Sequence, residues 1–362
     1  MGTSKQKKKI LIYTPYWKML GGGERYLLDI ARALKDKYGV YIVADKNLAK
    51  HARVTFGINL DEVVFLDPKF FTGRKFFSRY FFIRQFDICF YTTDGSLFFP
   101  AAGKNYLIIQ SPAHIPSPSL ANVLKLKNWN IVCYSAFMGE IIRRRLKRDS
   151  IVLPPAVDTS QYADISGSSV KKEKIFLTVG RFFTSRLHEK KTEFLLEFFR
   201  KNFKKHFPQW KLIICGNLTE KSGLKNVKSL RKLIAFLPVE LHINLPFSKL
   251  IKIYSRASIY WHAAGVGVDP LQFPEKMEHF GITTIEAMAA GCVPVVFAAG
   301  GQKDIVENKK SGYLWSNEQE FLKANLKIAN NPKLLKSIGK NAVRRAACFS
   351  RYEFKKRLHE LV

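Results

Sequence analysis

A chain of 362 residues with 47% hydrophobic composition is longer than one core usually organises, so two globular domains are expected. No run of about 18 apolar residues occurs, which excludes a membrane-spanning helix, and five widely spaced cysteines (Cys89, Cys133, Cys215, Cys292, Cys348) without a C-x-x-C pair exclude a disulfide scaffold and a zinc finger, reading instead as buried thiols in a reducing compartment. A formal charge of +31, from 60 Lys and Arg against 29 Asp and Glu, asks for an anionic partner (a sugar nucleotide, acidic lipid headgroups or nucleic acid) unless it reflects only a lysine-rich genome.

The start, MGTSKQKKKILIYTPYWK, is basic, but its apolar part is too short for a secretory signal and Gln6 argues against myristoylation. Apolar strands are expected at Ile10–Tyr13, Val40–Ala44, Val63–Leu66, Ile88–Tyr91, Tyr106–Ile109, Ile131–Tyr134 and Ile151–Leu153, with helices or loops between them. After the first strand comes TPYWKMLGGGER. Its Gly21, Gly22 and Gly23 permit close backbone approach, and a helix expected from Glu24 offers its N-terminus to an anion; a plain flexible turn is the alternative. The run is not G-x-G-x-x-G, so a nicotinamide cofactor is disfavoured.

Two stretches suit an anionic membrane surface. KFFTGRKFFSRYFFIRQF, from Lys69 to Phe86, interleaves Lys69, Arg74, Lys75, Arg79 and Arg84 with seven Phe and Tyr80 and has no acid. EIIRRRLKR groups Arg143, Arg144, Arg145, Lys147 and Arg148, leaving Ile142 and Leu146 to face inward. Membrane contact is assigned to Arg74, Lys75, Arg79, Arg143 and Arg144, with a solvated basic face as the alternative.

The second half repeats the alternation, with strands at Ile175–Val179, Leu212–Cys215, Glu240–Asn244, Ser258–Trp261 and Val293–Phe297. The reading is α/β, with two doubly wound Rossmann-like domains facing a central cleft. Residues 1–160 form the N-terminal domain, 161–173 a polar linker, 174–348 the C-terminal domain, and 349–362 an amphipathic helix that could lie on either domain, the N-terminal one preferred. In such sheets ligands bind at the carboxyl ends of strands. One such end is FLTVGRFFTSRLHEKK, where Arg181 follows Gly180 and Lys190 is expected to begin a helix; two cations there suit a diphosphate, or are simply solvated.

EHFGITTIEAMAAG, Glu278 to Gly291, places two acids around a loop entering a short helix, expected over 284–290. Thr283 to Glu286 reads as a T-x-x-E capping box. The alternative is a helix start facing an anion, with a carboxylate accepting from a sugar diol.

These residues together resemble the retaining glycosyltransferases of family 4, which have the GT-B fold. The resemblance covers nearly the whole chain. Its most specific element is E-x7-E, met by Glu278 and Glu286, followed by AGGQKDIV; GGGER, YSAF at 134–137, LPPAVDT at 153–159, VGRF with Lys190, and AAG at 263–265 are also similar. The chain departs from the family pattern at Lys190-Lys191, where lysine-glycine is usual, and at Pro155-Ala156.

The resemblance implies that Arg181 and Lys190 hold a donor diphosphate and that Glu286 binds its ribose. Glu278 would sit by the transferred sugar, and the backbone N–H groups of Phe280, Gly281, Ile282 and Thr283 would meet sugar and phosphate oxygens. Gly22 and Gly23 would approach the phosphate from the acceptor-side domain, and His114 would lie near the donor sugar. It further implies a hexose-type sugar moved from a UDP- or GDP-linked donor to a hydroxyl of a glycan or lipid-linked acceptor. No cofactor or metal is expected, and no D-x-D occurs. The enzyme would be cytoplasmic and peripheral on the membrane. A sugar-nucleotide epimerase and a basic nucleic-acid-binding protein are the rival readings, although no nucleic acid partner is expected.

Overall fold

Ile10, Leu11 and Ile12, and likewise Val293, Val295 and Val296, are fully buried, as expected for parallel strands covered by helices on both faces. The computed structural model describes residues 7–17, 21–72, 76–162, 171–182, 189–218 and 223–362. It divides into two units, Met1–Ala156 with Tyr352–Val362, and Val157–Arg351.

The first unit holds seven parallel strands, β1 (Lys9–Tyr13), β2 (Gly39–Val43), β3 (Val64–Leu66), β4 (Ile88–Thr92), β5 (Lys104–Ile108), β6 (Asn130–Cys133) and β7 (Ile151–Val152), in the order β3-β2-β1-β4-β5-β6-β7. The second holds six, β8 (Ile175–Arg181), β9 (Lys211–Asn217), β10 (Val239–Ile243), β11 (Ile259–His262), β12 (Val293–Phe297) and β13 (Tyr313–Trp315), in the order β10-β9-β8-β11-β12-β13. Every strand expected from the sequence is present, with ends shifted by a residue or two. Only β13 was missed, because three residues are too few to show a period. Each order reverses once, between β1 and β4 and between β8 and β11. At such a reversal the loops on either side diverge and leave a crevice at the carboxyl ends of the strands.

Aromatic residues fill both cores. In the second unit Phe176 stacks on Trp210 and Trp261, with ring centroids 4.5 and 4.1 Å apart. In the first, Phe98 packs on Tyr91 and Trp129. The C-terminal helix Arg351–Leu361 buries Phe354 and Leu358, and Phe354 meets Tyr26 edge-on. Four of the five cysteines are buried and Cys348 is half-buried.

Of the stretch expected to be a linker, residues 163–170 lie outside the described residues, while Lys172 is a structural part of the second unit. Its Nζ donates to the carbonyls of Ala290 (2.6 Å), Ala257 (2.7 Å) and Tyr254 (3.2 Å). Ala257 and Ala290 end helices Phe247–Arg256 and Ile282–Ala289, so one cation sits at the negative ends of both. Burial pushes its pKa down, and the three carbonyls compensate for the lost water. Lys172→Met should therefore lower the unfolding free energy by about 2–3 kcal/mol, because it removes the charged donor shared by three carbonyls, of which only those of Tyr254 and Ala257 keep the weaker Cys292 thiol; urea denaturation measures this, and an unchanged midpoint would contradict the assignment.

Candidate active site

At the reversal point of the second sheet, β8 ends in the exposed Arg181 and β11 ends in His262, only 2% exposed. From His262 the chain runs through a 3-10 turn at Pro274–Lys276 to Glu278, which is buried. Lys190 Nζ and His262 Nε2 both donate to the same oxygen, Glu278 Oε2, the histidine at 2.9 Å. A carboxylate oxygen only accepts, so the imidazole proton lies on Nε2. Burial pushes the His262 pKa below its usual value, and the bond to Glu278 acts against this. His262 is therefore a neutral donor. Its Nδ1 is buried without a hydrogen-bond partner.

Lys190 reaches Glu278 across a notch: a β-carbon added to Gly180 would lie 2.6 Å from Lys190 Cγ. Lys190 does not begin the next helix, contrary to the sequence expectation. That helix is Thr192–His206, and Lys191 before it is left-handed at φ 51°. Lys190, just before it, lies against Gly180 near the end of β8.

The helix after Glu278 is Ile282–Ala289 rather than 284–290, and its N-cap is Gly281 at φ 119°, with no side-chain cap. The capping box expected of Thr283 and Glu286 does not form. Tyr260 donates instead to the Thr283 hydroxyl at 2.8 Å, and Tyr254 donates to Glu286 Oε2 at 3.1 Å. Burial raises the pKa of both phenols, which keeps them as donors. Glycine is needed at 281 for a second reason: a β-carbon there would lie 2.6 Å from the Gln302 amide nitrogen. The Gly300-Gly301 turn supports the Glu278 segment from below, with Gly301 N–H donating to Glu278 O at 2.7 Å. A β-carbon on Gly300 would come within 2.1 Å of that same carbonyl.

The second unit thus brings together Lys190, Glu278, Phe280, Gly281, Ile282, Thr283 and Glu286, with Arg181 at the neighbouring strand end. Gly22, Gly23 and His114 belong to the first unit. There the helix begins at Gly22, not Glu24, and Glu24 accepts from Gly21 N–H at 2.6 Å. Gly23 makes room for Gln110, whose amide donates to Gly23 O at 3.2 Å. His114 closes a 3-10 turn and stacks on Tyr16 at 5.4 Å; burial lowers its pKa. Of the residues assigned to membrane contact, Arg74 and Lys75 lie outside the described residues, and Arg143 and Arg144 both pair with Glu140.

Sequence reasoning missed His262, Tyr254, Tyr260 and Gln302. Gln302 is wholly buried, and both its amide atoms lack partners. His262 had a signal: it follows the apolar run Ile259–Trp261 directly, at a carboxyl end.

The fold is a two-unit Rossmann-like architecture, and comparison with known proteins gives its family. The model of the family "Glycosyl transferases group 1" matches residues 163–345, about half of the chain, so the protein belongs to that family and is a glycosyltransferase. Among curated proteins it is similar to the GDP-Man:Man(3)GlcNAc(2)-PP-Dol alpha-1,2-mannosyltransferase of Xenopus tropicalis, 24% identical over 97% of this chain and 86% of that protein. The human protein of the same description is 30% identical, but over 48% of this chain and 35% of its own length. Solved structures of the same fold include Anabaena HepE in complex with UDP-glucose, with TM-score 0.68, 18% identity and coverage of 98% and 99% of the two chains. A glycosyltransferase from Rickettsia africae has TM-score 0.73 and 17% identity, covering 99% of this chain and 98% of its own. These likenesses identify the two Rossmann-like units as those of the GT-B fold.

His262 yields a pH prediction. Its pKa is lowered from 6.5 in the folded protein, so below about pH 6.5 the unfolded chain binds a proton that the folded chain refuses. Stability should fall with pH there, by at most about 1.4 kcal/mol per pH unit for this group. His114 and His359 share the direction, so His262→Gln should flatten the slope without abolishing it. Urea unfolding across the range measures the slope, and an identical slope in the variant would contradict a neutral buried His262.

Proposed function

We propose that the protein is a retaining glycosyltransferase of family 4 that moves a hexose-type sugar from a nucleoside-diphosphate sugar to a hydroxyl of a glycan or lipid-linked acceptor. It works at the cytoplasmic face of an anionic membrane, without a metal or other cofactor. The observation that carries this is the contact of Lys190 with Glu278. In a donor the transferred sugar is bonded directly to the outer phosphate, so a phosphate-binding cation and a sugar-binding acid must be neighbours. Glu286, on the helix that follows Glu278, supplies a second acid for a ribose diol.

In this reading Arg181, Lys190 and the N–H groups from Phe280 to Thr283 take up the charge that grows on the departing diphosphate. Gly22, Gly23 and His114 keep the roles that the family resemblance implies, and burial lowers the His114 pKa. The acceptor oxygen bonds to the anomeric carbon on the face that the phosphate oxygen leaves, and the acceptor proton passes to that oxygen. The configuration is retained. Two cations at the leaving group do the work a metal would otherwise do. GDP-Man, the donor of the mannosyltransferase relatives, favours a guanine nucleotide, and UDP-glucose in the HepE structure supports a uridine one as the alternative. The relatives' acceptor, a glycan on PP-Dol, supports a lipid-linked acceptor here.

The roles of the two acids separate kinetically. Glu286→Ala should weaken donor binding by about 2 kcal/mol, a loss of charged hydrogen bonds. Glu278→Ala should lower kcat by on the order of a hundredfold, with a smaller loss of affinity confined to the sugar-bearing donor. Steady-state kinetics with donor titrations distinguish the two, and equal small effects from both would remove this reading. Proton NMR of the product reads the anomeric configuration.

A further inference from the structure

The helix Leu120–Leu126 lies with its apolar stripe outward. Leu120, Val123 and Leu124, spaced i, i+3, i+4, are 85%, 55% and 65% exposed, while only Leu126 is buried in the core. A surface helix in water normally shows the reverse. The helix is well formed nonetheless: Ser119 accepts from Asn122 N–H at 3.3 Å, and Asn122 donates to Ser117.

This stripe continues into other apolar surface. Lys125 Nζ sits 5.9 Å over the ring of Phe99, itself partly exposed, and the adjacent Phe98 carries the Arg79 guanidinium at 5.2 Å. Arg79 belongs to helix Phe76–Ile83, which exposes Phe77 and Phe81. Trp129 ties the two sides together by donating to Phe98 O at 3.3 Å, while its own carbonyl accepts from Arg148. Lys125, Lys127, Arg79 and Arg148 therefore edge the apolar residues, and residues 117–131 contain no acid.

We propose that this face, with Leu120, Val123 and Leu124 at its centre, docks the protein on a bilayer containing anionic lipid. The inference rests on the membrane-borne acceptor proposed above. The leucines and valine enter the acyl boundary and the four cations meet headgroup phosphates, with the lysine stems lying along the apolar surface. Charge complementarity selects this occupant: an apolar stripe alone fits any greasy partner, but a stripe in a segment without acid, 117–131, edged by Lys125, Lys127, Arg79 and Arg148 fits an anionic interface.

The test is sedimentation of the whole protein with phosphatidylcholine vesicles, with and without phosphatidylglycerol. Wild type should partition onto the anionic vesicles and stay in solution with the zwitterionic ones. Leu120→Ser with Val123→Ser and Leu124→Ser should lose about tenfold or more in partitioning, with little change in melting temperature, since all three side chains are mostly exposed. Lys125→Glu with Lys127→Glu should lose binding more steeply at low salt. Equal partitioning of the serine variant and wild type would overturn the proposal. So would a wild type that self-associates in analytical ultracentrifugation and becomes monomeric in the serine variant without any vesicle effect. Donor-induced melting shifts, measured on the same samples, report the donor site separately, so failure of the docking face and failure of the glycosyltransferase reading are distinguishable.

Discussion

The carboxylate of Glu278 is the constraint around which the second unit is arranged. A buried anion is tolerated only when charge and hydrogen bonds replace the water it has lost, and here one oxygen takes both the Lys190 ammonium and the His262 N–H. Much of the local backbone serves that arrangement. Gly180 opens the notch through which Lys190 arrives, and Gly300 and Gly301 seat the peptide of Glu278 itself. At the far end of the following helix, Lys172 holds its last carbonyls against those of the neighbouring helix. The site is fixed at both ends of one short helix.

Topology explains why the chemistry collects there. The order of the second sheet reverses between β8 and β11, and those two strands deliver Arg181 and His262 from their carboxyl ends. Arg181 and the neutral imidazole are thus carried by strand ends and Lys190 by the segment before helix Thr192–His206, while the two acids lie on a loop and helix seated by glycines and tyrosines. A phosphate-binding pair beside a sugar-binding acid needs that proximity, because the bond to be broken lies between the two groups.

Much of this was legible in the sequence, for physical reasons. Continuous apolar runs such as Ile175–Val179 and Val293–Phe297 can only be buried strands in a chain that alternates them with helices, so sheet class and strand positions followed from period and length. The two cations were visible as charges after a strand, and the two acids as charges around a loop entering a helix. What failed depended on distant partners. Thr283 and Glu286 have capping-box spacing, but their actual partners are Tyr260 and Tyr254, from other elements, and the real cap is a left-handed glycine against Gln302. Lys190 was expected inside a helix because the period of FLLEFF does not show where the preceding turn ends. Leu120, Val123 and Leu124 show helical spacing that says one face is apolar without saying which way it points. Only the packing of Leu126 and Trp129 determines that.

The central claim is that the Lys190 and Glu278 pair marks the junction of phosphate and sugar in a bound donor. It is tested most directly by calorimetric titration of UDP, GDP and their sugar conjugates into wild type, Lys190→Met and the double variant Lys190→Met with Glu278→Gln. The account predicts that one nucleotide binds wild type, that Lys190→Met weakens the free diphosphate and its sugar conjugate alike, and that adding Glu278→Gln further weakens only the conjugate. Binding of every nucleotide unaffected by either substitution, or no binding of any, would contradict it.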